Sequence, residues 1–424
     1  MSDVTRILLS IITIMLLLTT LGCQGPQTTE LDDEYARPLP YGKIGLRKIT
    51  DTSRLPDMNM IALQLGVDDW RSALQHSIDW FSKPSSNQFY PMGPISHAQA
   101  WASLYALQQL DWRQPKKAIS QLTEQFDVWE SVGWNDQGEV YYTGYFTPVY
   151  KASPLRTGEY QYPLYKKPSD LVSDPISGKV LGQRRVGGGL ILYPTRAEIM
   201  DGNLLGGYEL VWLANKLDAY LIHVNGSAKL LLNTGGIMYI GYAGSNGRNY
   251  TSLGKMLVQD GKLDKNKLNL TAIRKYFKNH PNDLDHYIRR NQRFVFFAEY
   301  DGSQWPAGSM GFQVTPQRTI ATDKSVFPRG CVTWVQTTIT DRITTRQSRF
   351  NQLMLDQDTG GAIRAAGRAD IYFGIGQNAE QLAGMQQTTG QLYYILLKPQ
   401  YVNHWYYLIN TSEQSLQNLP KQVN

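Results

Sequence analysis

The chain has 424 residues, 42% hydrophobic, 18% charged and 11% aromatic; this excludes a disordered polyampholyte or a bundle of membrane helices and leaves a globular protein of roughly two or three domains. Its 37 glycines and 20 prolines reverse the chain often enough to fit a largely β protein rather than a long-helix architecture. The 42 Lys and Arg against 36 Asp and Glu give a net charge of +6. With no long basic run there is no nucleic-acid footprint, and the excess fits either a solvated basic surface or attraction to an acidic polymer.

Ile7 to Leu18 is apolar except for Ser10 and Thr13, and Arg6 precedes it. The stretch is short for a bilayer span and has the proportions of a signal-peptide core. Gly22-Cys23 at its end resembles the cleavage box of bacterial lipoproteins, where the cysteine is acylated and becomes the new N-terminus. Thr20 stands where leucine is usual, so a plain secretory signal remains the alternative. Gln24, in place of aspartate, implies by the same resemblance an outer-membrane anchor facing the periplasm. Residues 1–22 are therefore read as a leader and 23–40, polar and proline-bearing, as a tether. With Cys23 acylated, Cys331 has no partner and no internal disulfide is expected.

The next elements are helical. Val67, Trp70, Leu74, Ile78 and Phe81 recur at helical spacing, as do Ala98, Trp101, Leu104, Tyr105 and Leu107 behind Ser96 as N-cap. A third helix starts at Pro115 and is predicted to run to Trp129. The spacing of Trp70 and Trp101 assigns them to the core. After Gly138 the texture changes to short strands, first Val140 to Phe146, with a short helix after Tyr193 to Arg196. Strands are predicted at Ala219 to Val224, Lys229 to Leu232 and Met238 to Tyr242, and helices near Thr271 to Lys278 and Leu284 to Arg290. From Phe294 the chain reads as strand-rich to about Ile409: Phe294 to Phe297, Gly311 to Val314, Val332 to Gln336, Ala369 to Phe373 and Leu392 to Leu397. The whole is mainly β with a helical N-terminal part, and no internal repeat supports a solenoid or propeller.

Several motifs lead nowhere. Gly374-Ile375-Gly376-Gln377-Asn378-Ala379 has dinucleotide spacing without a βαβ unit and reads as a turn. The six histidines contain no His-Glu-x-x-His pair, so no metal is expected. No Gly-x-Ser-x-Gly elbow occurs, and Cys331 reads as core filler. Asp358-Thr359-Gly360 spells an aspartic-protease triplet, but that chemistry needs two carboxylates sharing a proton and there is no second copy.

The strongest cluster is Asp358 to Ile363 followed by Arg368 to Gly374. In a strand over 368–373, alternation puts Ala369, Ile371 and Phe373 on a packing face and Arg368, Asp370 and Tyr372 on one that can line a groove. A carboxyl there is a candidate general acid. The aromatic neighbour favours its neutral form and Arg368 its charged form, and a surface salt bridge involving Arg368 is the alternative.

These residues belong to a wider pattern: Thr143-Gly144-Tyr145-Phe146-Thr147-Pro148, Tyr193 to Ile199, Gly241 to Gly254, Val295-Phe296-Phe297, Thr315 to Asp323 with Pro328-Arg329-Gly330, and Asp358 to Gly374. In order and spacing it resembles the membrane-bound lytic murein transglycosylase A family from about Thr143 to Leu397. The resemblance implies a double-psi β-barrel catalytic domain (residues 41–148 plus 298–412, with N-terminal helices), an inserted second β domain (149–297) and a groove between them for a glycan strand. It implies a peptidoglycan lytic exotransglycosylase, a carbon–oxygen lyase that cleaves between N-acetylmuramic acid and N-acetylglucosamine without water and leaves a 1,6-anhydro end.

The family's catalytic aspartate falls on Asp370. Asp323 and Asp358 match two further aspartates with orienting or sugar-binding roles, and Thr143, Tyr145, Tyr242, Arg318 and Tyr372 are assigned the same kind of role, with packing the alternative for the tyrosines. No cofactor is implied. The implied partners are peptidoglycan glycan strands, the outer membrane through the lipid anchor, and cell-wall synthesis or division proteins. The family's Gln-Gly-Ser-Gly reads Asn225-Gly226-Ser227-Ala228 here, and its Ala-Val-Asp reads Ala321-Thr322-Asp323, departures that bear on sugar contacts. A peptidoglycan-binding lipoprotein without catalysis, or a hydrolase using Asp323 or Asp358 to activate water, are the alternative functions.

Overall fold

The computed structural model describes residues 34–417 except 175–178, 303–304, 342–343 and 345. The expected leader, Cys23 and the first part of the tether lie outside the described residues. The described end of the tether is not free: the Tyr35 ring stacks on Tyr141 at 4.4 Å and meets Trp134 edge-on at 5.6 Å.

The chain opens with β1 (Leu46–Lys48), α1 (Met58–Gln64), α2 (Asp68–Phe81), α3 (His97–Gln109), α4 (Pro115–Gln125), β2 (Phe126–Ser131) and β3 (Glu139–Thr147). There follow β4 (Val149–Ser153), β5 (Tyr162–Tyr165), β6 (Leu171–Ser173), β7 (Val180–Arg184), β8 (Leu190–Ile191), α5 (Arg196–Gly202), β9 (Glu209–Leu213), α6 (Lys216–Asn225), β10 (Ser227–Leu232) and β11 (Ile237–Ser245). Next come α7 (Leu253–Gln259), α8 (Leu270–Asn279), α9 (Leu284–Arg290) and β12 (Val295–Tyr300). The last part is β13 (Thr319–Ala321), β14 (Val332–Thr340), β15 (Gln347–Asp358), β16 (Arg368–Ile375), α10 (Gln377–Met385), β17 (Gln387–Leu397) and α11 (Pro399–Gln417).

The helical opening follows its sequence signals. Ser96 caps α3 by accepting from the Gln99 N–H, and Trp70 and Trp101 are buried in the core. The third helix stops at Gln125, four residues short of the expected Trp129, because Phe126 and Val128 are drawn into pairing with Leu397 and Ile395 of β17. Ala219 to Val224 is helical, not a strand. Asn215 caps α6 at its start, accepting from the Asp218 N–H, and Gly226 ends it in the left-handed region at φ 78°, so the two caps bound a helix across this mostly apolar stretch. Gly311 to Val314 forms no strand, only a turn closed by an Ala307–Gln313 bridge. The region up to Ile409 ends in α11 rather than strand.

Strands β3, β17, β14, β15, β13 and β16 close into a ring, with β2 and β1 added along β17. Val140, Ile320, Val335, Met354, Ile371 and Tyr394 share the inward face of the ring and are fully buried, each large apolar side chain contributing about 1.5–3 kcal/mol. Strands β4 to β12 fall between β3 and β13 in the chain. They form a separate six-stranded sheet, order β12-β11-β10-β4-β9-β5, and a three-stranded one, β6-β7-β8, over their own apolar clusters. Arg274 of α8 ties this part to the barrel: its guanidinium donates to Glu380 of α10 at 2.9 Å, Asp218 of α6 at 2.7 Å and the Tyr150 hydroxyl of β4 at 2.7 Å.

Gly144 lets α10 lie against β3 and β16, because a Cβ there would sit 2.7 Å from the Ala383 Cα and 2.7 Å from the Phe373 ring. Gly144→Ala should cost about 1–3 kcal/mol through overpacking, read as a lower midpoint in urea denaturation; an unchanged midpoint would contradict this packing.

Candidate active site

The register of the barrel assembles the site. Asp370 of β16 pairs with Thr143 of the parallel β3 and with Ala321 of the antiparallel β13, and Ala321 pairs with Asp358 of β15. Thr143, Asp370, Ala321 and Asp358 therefore form one row across four neighbouring strands, with Tyr372 beside Tyr145 in the adjacent row. Irregularities in the ladder follow Ile320 and Tyr372, where bulges re-aim side chains.

Asp370 keeps 16% of its side chain exposed and lies 3.7 Å from the Arg368 Nε. Its Oδ1 accepts from the Thr143 hydroxyl; its Oδ2 has no partner among the described residues. The Arg368 Nε is buried without a hydrogen bond, and the two other nitrogens make only long contacts, 3.4 Å each, to the Ala362 carbonyl and the Thr143 hydroxyl.

Asp358 is held on both oxygens. Oδ1 accepts from the Ser309 N–H at 2.8 Å and the Thr359 N–H at 2.8 Å, and Oδ2 from the Tyr145 hydroxyl at 3.0 Å. Burial pushes this carboxyl above the usual range, against the pull of those donors. Burial beside Asp358 likewise pushes the Tyr145 hydroxyl well up, so it acts as a donor. Asp323 is also saturated: Oδ1 accepts from the Ser325 N–H at 2.9 Å and hydroxyl at 2.7 Å, Oδ2 from the Ala365 N–H at 2.7 Å. It clamps the turn after β13 to the segment before β16.

Two expected site residues, Tyr372 and Arg318, sit differently. Tyr372, expected to line the groove, is fully buried: Tyr145 packs on its ring at 5.0 Å and its hydroxyl meets the Thr147 hydroxyl at 2.9 Å. Arg318 is buried and engaged elsewhere, with Asp69 of α2 at 2.9 Å, Gln64 of α1 at 3.0 Å, and Gln352 and the Leu353 carbonyl of β15 at 2.6 and 3.1 Å. Tyr242 is 46% exposed on β11. Its neighbour Gly241 pairs with Ser227, whose hydroxyl is 3.5 Å from that of Thr147 on the barrel, so Tyr242 faces solvent close to where the second sheet meets β3.

Two features escaped the sequence analysis. Thr147 shares the alternation of Thr143 and Tyr145, which is the signal that would have found it. The pair Lys324–Asp356 gave none, since buried charges run against composition rules. Lys324 contacts the Asp356 Oδ1, while the Asp356 Oδ2 accepts from the Thr322 hydroxyl at 2.7 Å and the Tyr394 hydroxyl at 2.7 Å. Desolvation pushes the Lys324 ammonium below its ordinary value, opposed by Asp356. The pair pins the end of β13 to β15 two residues before Asp358. Cys331 is buried core filler, its thiol pushed up to about 12 by burial.

A family model described as the MltA specific insert domain matches residues 141–298, and one described as the 3D domain matches residues 318–396. The chain is 30% identical over 280 residues to the membrane-bound lytic murein transglycosylase A of Escherichia coli (strain K12), covering 64% of this chain and 70% of that protein. The crystal structure of a membrane-bound lytic murein transglycosylase from Agrobacterium tumefaciens superposes with a TM-score of 0.70 at 23% identity, covering 85% of this chain and 99% of that one. That of E. coli MltA with bound chitohexaose gives 0.60 at 24% identity, covering 88% and 100%. At these identities the two structures establish likeness of fold. The chain belongs to the membrane-bound lytic murein transglycosylase A family, a family of peptidoglycan-cleaving lyases.

Because the folded state holds the Asp358 proton more tightly than the unfolded chain, its contribution to stability is fully present below the ordinary carboxylate value near pH 4 and is lost as pH rises through the raised value. Asp358→Asn removes this dependence. Its melting temperature should rise relative to wild type between about pH 4 and pH 7, and a constant difference across that range would refute the burial effect.

Proposed function

We propose that this enzyme cleaves the β-1,4 bond between N-acetylmuramic acid and N-acetylglucosamine in peptidoglycan without water, with Asp370 acting first as acid and then as base. The carrying observation is the unequal engagement of the three aspartates. Both oxygens of Asp358 and of Asp323 already accept hydrogen bonds, while the Asp370 Oδ2 is open. A hydrolase with two working carboxylates needs a second one free to activate water, and neither neighbour is.

Asp370 protonates the glycosidic oxygen, with the Thr143 hydroxyl holding its other oxygen in place. The substrate's own acetamido carbonyl supports the positive charge developing at C1 in place of a second protein carboxylate. The deprotonated Asp370 then takes the proton from the C6 hydroxyl as that oxygen closes on C1, giving the 1,6-anhydro ring. Asp358 and Asp323 act as scaffold: one fixes Tyr145, the other the turn before β16. The glycan strand lies in a groove between a double-psi barrel and an inserted domain over residues 149–297, with exposed Tyr242 as a stacking surface. Acylation at Cys23 tethers the enzyme to the outer membrane on its periplasmic face, in keeping with the membrane-bound relative.

Asp370→Asn should lower product release by about 10²- to 10⁴-fold, the usual worth of general acid–base help, with an unchanged melting temperature. A folded variant retaining a substantial fraction of wild-type muropeptide release would overturn the assignment.

A further inference from the structure

The outer face of the barrel carries a second polar site away from Asp370. Strands β3, β17, β14 and β15 lie side by side, and their registers align Glu139 with Gln391, Gln391 with Gln336, and Gln336 with Asn351. The alternating neighbours Val140, Leu392, Val335 and Phe350 are buried in the barrel, so these four side chains face outward. Thr338 and Arg349 pair in the flanking row. Together they line an open concavity of about 620 Å³. Its near edge, Glu139, lies four residues from Thr143, roughly 13 Å along the strand, with the stacked Tyr35–Tyr141 pair between.

The side chains here are disengaged. The amides of Gln336, Asn351 and Gln391 and the guanidinium of Arg349 have no hydrogen-bond or ion-pair partner among the described residues, and Glu139 accepts only from Asn135, at 3.1 Å. Amides offer donor and acceptor together and match peptide groups. A guanidinium matches a carboxylate in a two-pronged contact, and Glu139 matches an ammonium. No aromatic side chain lines the concavity, so it lacks the stacking surface that bare sugars favour.

We propose that this concavity binds a short peptide bearing a free carboxylate, with Arg349 on the carboxylate and the amide row along the peptide backbone. Peptidoglycan carries such peptides on its glycan. That source rests on the reading given under Proposed function; the binding itself does not.

The test is calorimetric titration of the folded full chain with three probes: the tetrapeptide L-Ala-γ-D-Glu-meso-diaminopimelyl-D-Ala, its carboxamide analogue, and a peptide-free N-acetylglucosamine hexamer. The tetrapeptide should bind saturably to wild type, and both carboxylate amidation and Arg349→Ala should weaken it about tenfold or more, the variant keeping the wild-type melting temperature. Gln336→Ala should weaken it less. Absence of tetrapeptide binding, equal binding of the carboxamide, or displacement of the peptide by the hexamer overturns the proposal. If Asp370→Asn retains cleavage while the peptide still binds through Arg349, the active-site reading fails and this site stands. If cleavage is lost and no peptide binds, this site fails alone.

Discussion

The pairing of β16 between the parallel β3 and the antiparallel β13 decides where the chemistry sits. This register sets Asp370 opposite Thr143 and Ala321 and turns Ala369 and Ile371 into the barrel, where both are fully buried. A slip of one residue would exchange the two faces, burying a carboxylate and exposing the apolar pair. Barrel closure makes such a slip costly, because β16 is hydrogen-bonded on both edges and every other strand in the ring would have to follow. The acid is thus positioned by backbone pairing, and only its fine orientation is left to the Thr143 hydroxyl and Arg368.

The aspartates around it differ in role through their hydrogen bonds. Asp358 and Asp323 each have both oxygens engaged, Asp358 by the loop at Ser309 and by the Tyr145 hydroxyl, Asp323 by the turn at Ser325 and the segment at Ala365. Beneath them Lys324 and Asp356 form a buried pair whose spare acceptor is satisfied by Thr322 and Tyr394. A pair of this kind is weak support for net stability, but removing one partner is expensive, so it resists any separation of β13 from β15. These contacts keep the row of residues around Asp370 rigid while leaving one oxygen of Asp370 open toward solvent.

Much of this was legible in the sequence. The N-cap at Ser96, the first-turn proline at Pro115 and the alternation in Arg368 to Phe373 are local signals, and each marks an element where the structure has one. Alternation also named the outward face carrying Asp370, although it could not show that Tyr145, from a strand more than two hundred positions away, covers Tyr372. Arg318 was misplaced for the same reason: its carboxylate partner, Asp69, belongs to the helical opening of the chain. Ala219 to Val224 looked like a strand because it is a short, mostly apolar run, which periodicity alone does not tell from a buried helix segment, and only the caps at Asn215 and Gly226 reveal the helix. The outward polar row of Glu139, Gln391, Gln336 and Asn351 comes from four separate stretches, and no local pattern brings them together.

The central claim is that a single carboxyl moves one proton twice and that the sugar's own C6 oxygen, not water, closes on C1. Digestion of purified peptidoglycan in solvent enriched in heavy oxygen, followed by mass spectrometry of the released fragments, tests it directly. The account predicts new ends one water lighter than reducing ends and free of label. Heavy oxygen at the new C1 terminus would contradict it.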